Sequence, residues 1–289
     1  MAMSAADLIL NPDGSIYHLG LKPDQLAPVI LTVGDPDRVQ QVARHFDQIE
    51  FEYQKREIKS LTGFYKGKRL SVVSTGMGTD NIDIVLNEID ALFNVDFKTR
   101  QPKSSTTQLT FIRLGTSGAI QPDLPLGSIL ASKYAVGVDA LGAFYQYSAE
   151  QLPLNQAIAR YFQQNFQNVM PYVVAASQPL FEKFKRISTE EGITITHPGF
   201  YGPQGRQARI PIAYPNWIVQ LQNFDFEANR FTNFDMETAG IYLLASLMGH
   251  HALSFNALLA NRVTGQFTDK PNLVVDQMIA LVLEGCLSI

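Results

Sequence analysis

An α/β fold is what this sequence predicts, and three observations predict it. Short apolar or β-branched runs alternate with segments whose apolar residues recur at helical spacing, along all 289 residues. Apolar runs end in glycine-bearing segments at Gly34, Gly76 and Gly115, and the first two lead directly into a helical pattern. No internal repeat and no linker divides the chain, and its 46% hydrophobic content can fill one large core, so residues 1–289 are expected to form a single domain.

In order, Tyr17-His18-Leu19-Gly20-Leu21 forms a loop before the first clear strand, residues 29–33, which is rich in β-branched residues. Gly34-Asp35-Pro36-Asp37-Arg38 then opens a helix carrying Val39, Val42, Ala43 and Phe46 on one face, with Asp35 as N-cap and proline at its start. Lys55-Arg56-Glu57 leads into a hairpin over 64–69 and a strand over 70–75. The next glycine turn, Gly76-Met77-Gly78-Thr79-Asp80, feeds a second helix with Thr79 or Asp80 as cap; it lacks the third glycine and the acidic residue of a dinucleotide site. Residues 94–108 are polar and read as a surface excursion. After the motif at 111–120 come short strands near 128–132 and 134–139, a helix over 154–166 and strands over 172–176 and 193–196. The last of these delivers the loop Gly199-Phe200-Tyr201-Gly202-Pro203-Gln204-Gly205-Arg206. Asp235-Met236-Glu237 precedes an apolar helix over 238–248, a strand over 252–259 ends in Asn261-Arg262, and a helix over 272–287 closes the chain.

Composition excludes several classes. A net charge of −4 offers no general attraction to nucleic acid or anionic membrane, so arginines must be judged singly. One cysteine, Cys286, leaves no intrachain disulfide, which fits a reducing cytoplasm. Residues 1–11 lack a basic region, so neither a signal peptide nor an anchor is expected. The apolar tract 241–260 is interrupted by His250, His251, Ser254 and Asn256, which would be costly at a bilayer centre. No His, Cys or carboxylate cluster has metal spacing. A soluble, cytoplasmic, metal-free protein is expected.

The chemistry concentrates at Phe111-Ile112-Arg113-Leu114-Gly115-Thr116-Ser117-Gly118-Ala119-Ile120. Here an arginine is followed by two glycines bracketing two hydroxyls, the donor types that phosphate oxygens accept, with the backbone expected to fold closely round the ligand. Arg38, in the first turn of a helix, opposes the helix dipole and so has no structural benefit there, whereas a bound anion would favour it.

His18-Leu19-Gly20-Leu21, Gly34-Asp35-Pro36-Asp37-Arg38, Arg56-Glu57, Ser74-Thr75-Gly76-Met77-Gly78, the motif at 113–120, Phe200-Tyr201 with Gln204 and Arg206, Asp235-Met236-Glu237 and Asn261-Arg262 occur in one order over nearly the whole chain. In this the chain resembles nucleoside phosphorylases of the hexameric purine/uridine type, and in particular their uridine-cleaving branch. The resemblance implies a mixed, partly barrel-like central sheet flanked by helices, and active sites completed across the interface of a homo-oligomer. It implies reversible phosphorolysis of uridine to uracil and ribose 1-phosphate, in pyrimidine salvage. It places Gly34, Arg38, Arg113 and Thr116 on phosphate, with Arg56 from the neighbouring subunit. Met236 and Glu237 would meet the ribose together with the neighbour's His18, and Phe200, Gln204, Arg206 and Arg262 the base. Asp235 stands where a glutamate is common. Asn81 departs at a position that helps hold an interfacial cation in some relatives, which counts against a structural potassium. Purine-cleaving relatives place a proton-donating aspartic acid where this chain has Asn261.

The residue types agree with that reaction. Phosphate is already an anion near neutral pH, so the site must hold it, orient the sugar and accept charge on the departing base, with no hydrolase triad or metal. Uracil presents an acceptor, a donor and an acceptor, which a glutamine amide and a guanidinium on one loop can match. A purine nucleoside phosphorylase, a nucleosidase and a non-catalytic nucleoside-binding protein are the alternatives. Water as nucleophile would need an activating acid or base and has no use for three arginines.

Overall fold

The computed structural model describes residues 2–147 and 153–289. β1 (Val29–Val33) is buried along its whole length and pairs in parallel on both sides, which is why its sequence runs apolar without alternation. α1 (Pro36–Ala43) follows with Asp35 as N-cap, its carboxylate accepting the Asp37 N–H at 2.9 Å. β2 (Gln48–Lys55), β3 (Ile58–Tyr65) and β4 (Lys68–Ser74) form a meander joined by turns at Arg56-Glu57 and Lys66-Gly67. α2 (Thr79–Asn94) then buries Ile82, Val85, Ile89 and Leu92 in the main core. Its cap is not a side chain. Gly78 takes the cap position at φ +95°, where a residue with a Cβ would be strained, and Thr79 is already helical.

The excursion at 94–108 holds a small clasp, β5 (Val95–Asp96) with β6 (Gln101–Pro102), pinned by Asn94, whose Oδ1 accepts the Thr107 N–H at 2.7 Å. β7 (Thr110–Ala119) and β8 (Ile129–Gly137) follow. Both correct the sequence reading. β7 runs straight through Gly115 and Gly118 with no turn, and β8 is one strand where two were expected. α3 (Pro153–Asn165), β9 (Tyr172–Ala175), α4 (Gln178–Phe184), β10 (Glu190–Thr196), α5 (Trp217–Gln222) and β11 (Phe231–Asp235) come next. The chain ends with α6 (Thr238–Leu247), β12 (His251–Asn261), β13 (Gln266–Phe267) and α7 (Pro271–Cys286). β2, α4 and α5 escaped the sequence reading: β2 is mostly exposed, with Glu50, Glu52 and Lys55 among its residues, and the two helices are only 7 and 6 residues long.

Ten strands pair in the order β13-β12-β8-β10-β11-β7-β1-β4-β3-β2, and β9 joins β8. β12 also pairs β7, so β12, β8, β10, β11 and β7 close into a mixed five-stranded barrel with β1 to β4 continuing as an open wing. α6 is apolar all round and buried from Thr238 to Ala245; it crosses α2 so closely that a Cβ on Gly240 would lie 2.9 Å from Thr79 Cγ2. Among the described residues, no helix is long and apolar enough to cross a membrane, and no group of three or more His, Cys, Asp or Glu is placed to hold a metal ion.

Candidate active site

A cavity of about 800 Å³ opens where the ends of β1, β4, β11 and β12 meet the second half of β7. It gathers Gly34, Arg38, Arg113, Thr116, Phe200, Gln204, Arg206, Met236 and Glu237, so nine sequence-predicted residues from four distant stretches share one wall.

Arg113 sits at its centre, buried. Its Nη2 donates to Glu237 Oε2 at 2.5 Å, its Nη1 donates to Asn256 Oδ1 at 3.0 Å, and Asp235 Oδ2 lies 3.4 Å from Nη1. Burial alone would lower the Arg113 pKa, but the two carboxylates outweigh it and the net shift is upward. Gly115 makes this possible: a Cβ there would lie 1.7 Å from Arg113 Nη1. The glycine therefore accommodates the protein's own guanidinium, which corrects the expectation that it lets backbone wrap the ligand.

Glu237 is fixed at both oxygens, since Oε1 accepts the Gly78 N–H at 2.9 Å while Oε2 faces Arg113. Asp235 has a structural task as well. It accepts from the Thr238 N–H at 3.1 Å and from the Thr238 hydroxyl, and its Oδ1 accepts from Thr196 Oγ1 at 2.7 Å, which caps α6 and ties β11 to β10.

Arg38 presents the opposite case. Its Nη1 donates to the Leu114 carbonyl at 3.3 Å, but its Nε is buried without a partner, and none of its atoms pairs with a carboxylate of the described residues. Burial, then the nearby charge of Arg113, hold its pKa below the ordinary arginine value. Two guanidinium groups thus share one side of the cavity, one of them unpaired. Such a pair of guanidinium groups can hold an anion.

At the other side, the loop from β10 turns tightly at Gly202–Gln204. Arg206 Nη1 donates to the Phe200 carbonyl at 2.8 Å and to Gln204 Oε1 at 2.6 Å, and its guanidinium stacks 3.6 Å from the Phe200 ring centroid. That contact fixes the amide, leaving Gln204 Nε2 as a free-side donor. Burial and the charge of Arg262 push the Arg206 pKa down to about 10, so the group is still cationic at neutral pH and poised to gain from negative charge nearby.

Three predicted residues lie elsewhere. Arg262 is outside the cavity wall; its Nη1 donates to the Gln204 carbonyl at 3.2 Å and so supports the loop from behind. His18 and Arg56 do not line the cavity of their own chain. His18 is anchored by Glu88, which receives its Nδ1 at 2.6 Å and the N–H groups of His18 and Leu19, and 30% of its side chain remains exposed. Arg56 is exposed at the β2–β3 turn with φ +55°.

Asn261 departs from the sequence argument. It is buried away from the cavity, its Nδ2 donating to the Gln121 and Leu124 carbonyls and its Oδ1 accepting the Val263 and Thr264 N–H groups. Every polar valence is used, Oδ1 within the turn after β12 and Nδ2 in tying that turn to the 121–124 loop. Sequence reasoning also missed Asn256. The available signal was a pair of polar residues two apart, Ser254 and Asn256, within an otherwise apolar strand, since that spacing puts both on one face.

The model of the phosphorylase superfamily matches residues 28–284, and the chain belongs to that superfamily. A uridine phosphorylase of Thermococcus kodakarensis is 32% identical over 255 residues, covering 88% of this chain and 80% of the relative. A DeoD-type purine nucleoside phosphorylase of Thermoanaerobacter pseudethanolicus is 29% identical over 258 residues, covering 87% and 90%. Among solved structures, a Trypanosoma brucei nucleoside phosphorylase that shows uridine phosphorylase activity superposes with a TM-score of 0.89 at 29% identity, covering 98% of this chain and 100% of that one.

Proposed function

We propose that this chain is a uridine phosphorylase, a pentosyltransferase that converts uridine and inorganic phosphate reversibly to uracil and ribose 1-phosphate. The observation that carries the reading is the unpaired, part-buried guanidinium of Arg38 beside Arg113, at one side of a cavity whose other side holds Gln204 and Arg206. In this reading Gly34, Arg38, Arg113 and Thr116 bind phosphate, Met236 and Glu237 the ribose, and Phe200, Gln204 and Arg206 the base, with Arg262 behind the loop. Glu237 lies between the two charged regions. Each of its fixed oxygens keeps a lone pair for a ribose hydroxyl, and its charge favours the cationic sugar that forms as the glycosidic bond stretches. The electron pair of that bond passes to uracil, where Gln204 Nε2 meets the 2-carbonyl, Gln204 Oε1 the 3-N–H and Arg206 the 4-carbonyl.

Uracil release from uridine tests the reading. It is expected to require phosphate and to persist in EDTA. Equal turnover in phosphate-free buffer would turn the reading towards a nucleosidase, and loss in EDTA restored by a divalent ion would make the reaction metal-dependent.

The working unit in this reading is a cytoplasmic homo-oligomer, with His18 and Arg56 supplied from a neighbour. Two features support it: both residues stand off their own cavity, and the cavity rim carries apolar side chains exposed to solvent, Met77 at 74% and Phe267 at 62%. Arg56 also occupies a left-handed backbone position where glycine would be cheaper, the kind of local cost found at functional sites. Mixing inactive Arg56→Ala chains with inactive Glu237→Ala chains is expected to restore activity through hybrid sites once subunits exchange. A fully active monomer in sedimentation would remove the shared-site reading.

A further inference from the structure

The barrel interior is not apolar throughout. A line of buried polar side chains crosses it from Arg113: Arg113 Nη1 donates to Asn256 Oδ1 at 3.0 Å, and Asn256 Nδ2 donates to Ser132 Oγ at 3.1 Å. Ser132 and Thr194 share a hydrogen bond of 2.6 Å, Thr194 Oγ1 donates to Asn233 Oδ1 at 2.9 Å, and Asn233 Nδ2 donates to Ser117 Oγ at 2.8 Å. Ser132, Thr194, Asn233 and Asn256 are wholly buried, yet both ends of the line, Arg113 and Ser117, reach the cavity wall.

Such a line is expensive as mere filling, because buried amides and hydroxyls must first be desolvated and apolar residues would pack without that cost. It is also directional. A guanidinium can only donate, so Asn256 must turn its oxygen to Arg113 and its NH2 to Ser132; the Ser132 hydroxyl then donates to Thr194, Thr194 to Asn233, and Asn233 to Ser117. The Asn256 amide cannot flip without losing its bond to Arg113, since its NH2 would then face a group that only donates.

Charge explains why an amide stands there. At the proposed phosphate position Arg113 already carries the carboxylates of Asp235 and Glu237, while Arg38 beside it pairs with no carboxylate of the described residues. A third carboxylate on Arg113 would add a further negative charge beside the phosphate position and repel phosphate. An apolar residue would leave Nη1 without its acceptor and free the guanidinium to turn towards Asp235, already 3.4 Å away. We propose that Asn256 is a positioning residue for anion binding, a neutral acceptor that holds Arg113 in place without cancelling its charge. The proposal rests on the phosphorylase reading only for the identity of the anion.

Calorimetric titration of the purified full chain with inorganic phosphate tests it, alongside KM for phosphate and for uridine. Asn256→Asp, which keeps the shape, is expected to weaken phosphate about 10-fold or more, with KM for uridine changed less than about 3-fold. Asn256→Ala is expected to weaken phosphate in the same direction, and it carries the test alone if the aspartate variant does not fold. Thr194→Val interrupts the same buried line away from Arg113; it is expected to melt earlier but to bind phosphate within about 2-fold of the unsubstituted chain. The proposal is overturned if the folded Asn256 variants keep phosphate affinity, or if Thr194→Val weakens phosphate as much as they do. Phosphate binding without uridine cleavage in the unsubstituted chain would defeat the functional reading alone, because the calorimetric comparison would still decide the role of Asn256.

Discussion

Arg113→Ala is expected to lose phosphorolysis and a large part of the fold's stability together. The side chain is the common partner of Glu237, Asp235 and Asn256, all buried. Removing it leaves two carboxylates without their cation, and breaking a buried ion pair from one side costs about 3–5 kcal/mol. Uridine kcat/KM should fall by roughly 10³ or more, since the proposed phosphate donor and the support of Glu237 disappear at once. Lysine should not restore it, because one ammonium cannot reproduce two guanidinium nitrogens reaching different acceptors. Gly115→Ala separates the two effects. It keeps the charge but sets a methyl 1.7 Å from the position of Nη1, so it should weaken phosphate through displacement of the guanidinium. Urea unfolding and phosphate titration check both variants; an Arg113→Ala protein within about 1 kcal/mol of the original stability and with undiminished phosphate affinity would contradict the arrangement.

Arg206→Ala is expected to lower uridine kcat/KM by roughly 10²–10³ while leaving phosphate affinity unchanged, the magnitude seen when one donor to a developing anion is removed. The substitution acts twice. It deletes the donor to the 4-carbonyl, and it frees Gln204 Oε1 and the Phe200 carbonyl, which Arg206 holds at 2.6 and 2.8 Å. The unsubstituted protein should prefer uridine to inosine and cytidine, because cytosine offers an amino donor where the guanidinium needs an acceptor. With Asn261 outside the cavity, the proposed site leaves this discrimination to the 199–206 loop. Inosine as the better substrate, or a variant with unimpaired uridine cleavage, would overturn the assignment of the base.

The local part of this protein was legible in its residues. The Asp35 cap, the two glycine junctions and the helical period of α7 are set within a few residues, and β1 shows itself as an unbroken β-branched run, so periodicity and turn chemistry report them. Arg38 was legible too, as a cation at a helix N-terminus with no structural benefit there, and the ordered motifs tied it, Arg113 and Glu237 to one family.

Tertiary structure decided the rest, because the deciding contacts join residues far apart in the chain. Arg113 meets Glu237 across 124 positions and Asn256 across 143, and no local pattern encodes a hydrogen bond of that separation. Pairing of β12 with β7 closes the barrel, and that closure turns Gly115 from a presumed ligand turn into clearance for a guanidinium. It also aims Asn256 at Arg113, while the turn after β12 holds the Asn261 side chain out of the cavity. Residue order determined which donors and charges were present; the closed sheet determined which of them face one another, since only closure brings strands 7, 11 and 12 within hydrogen-bond distance of a single guanidinium.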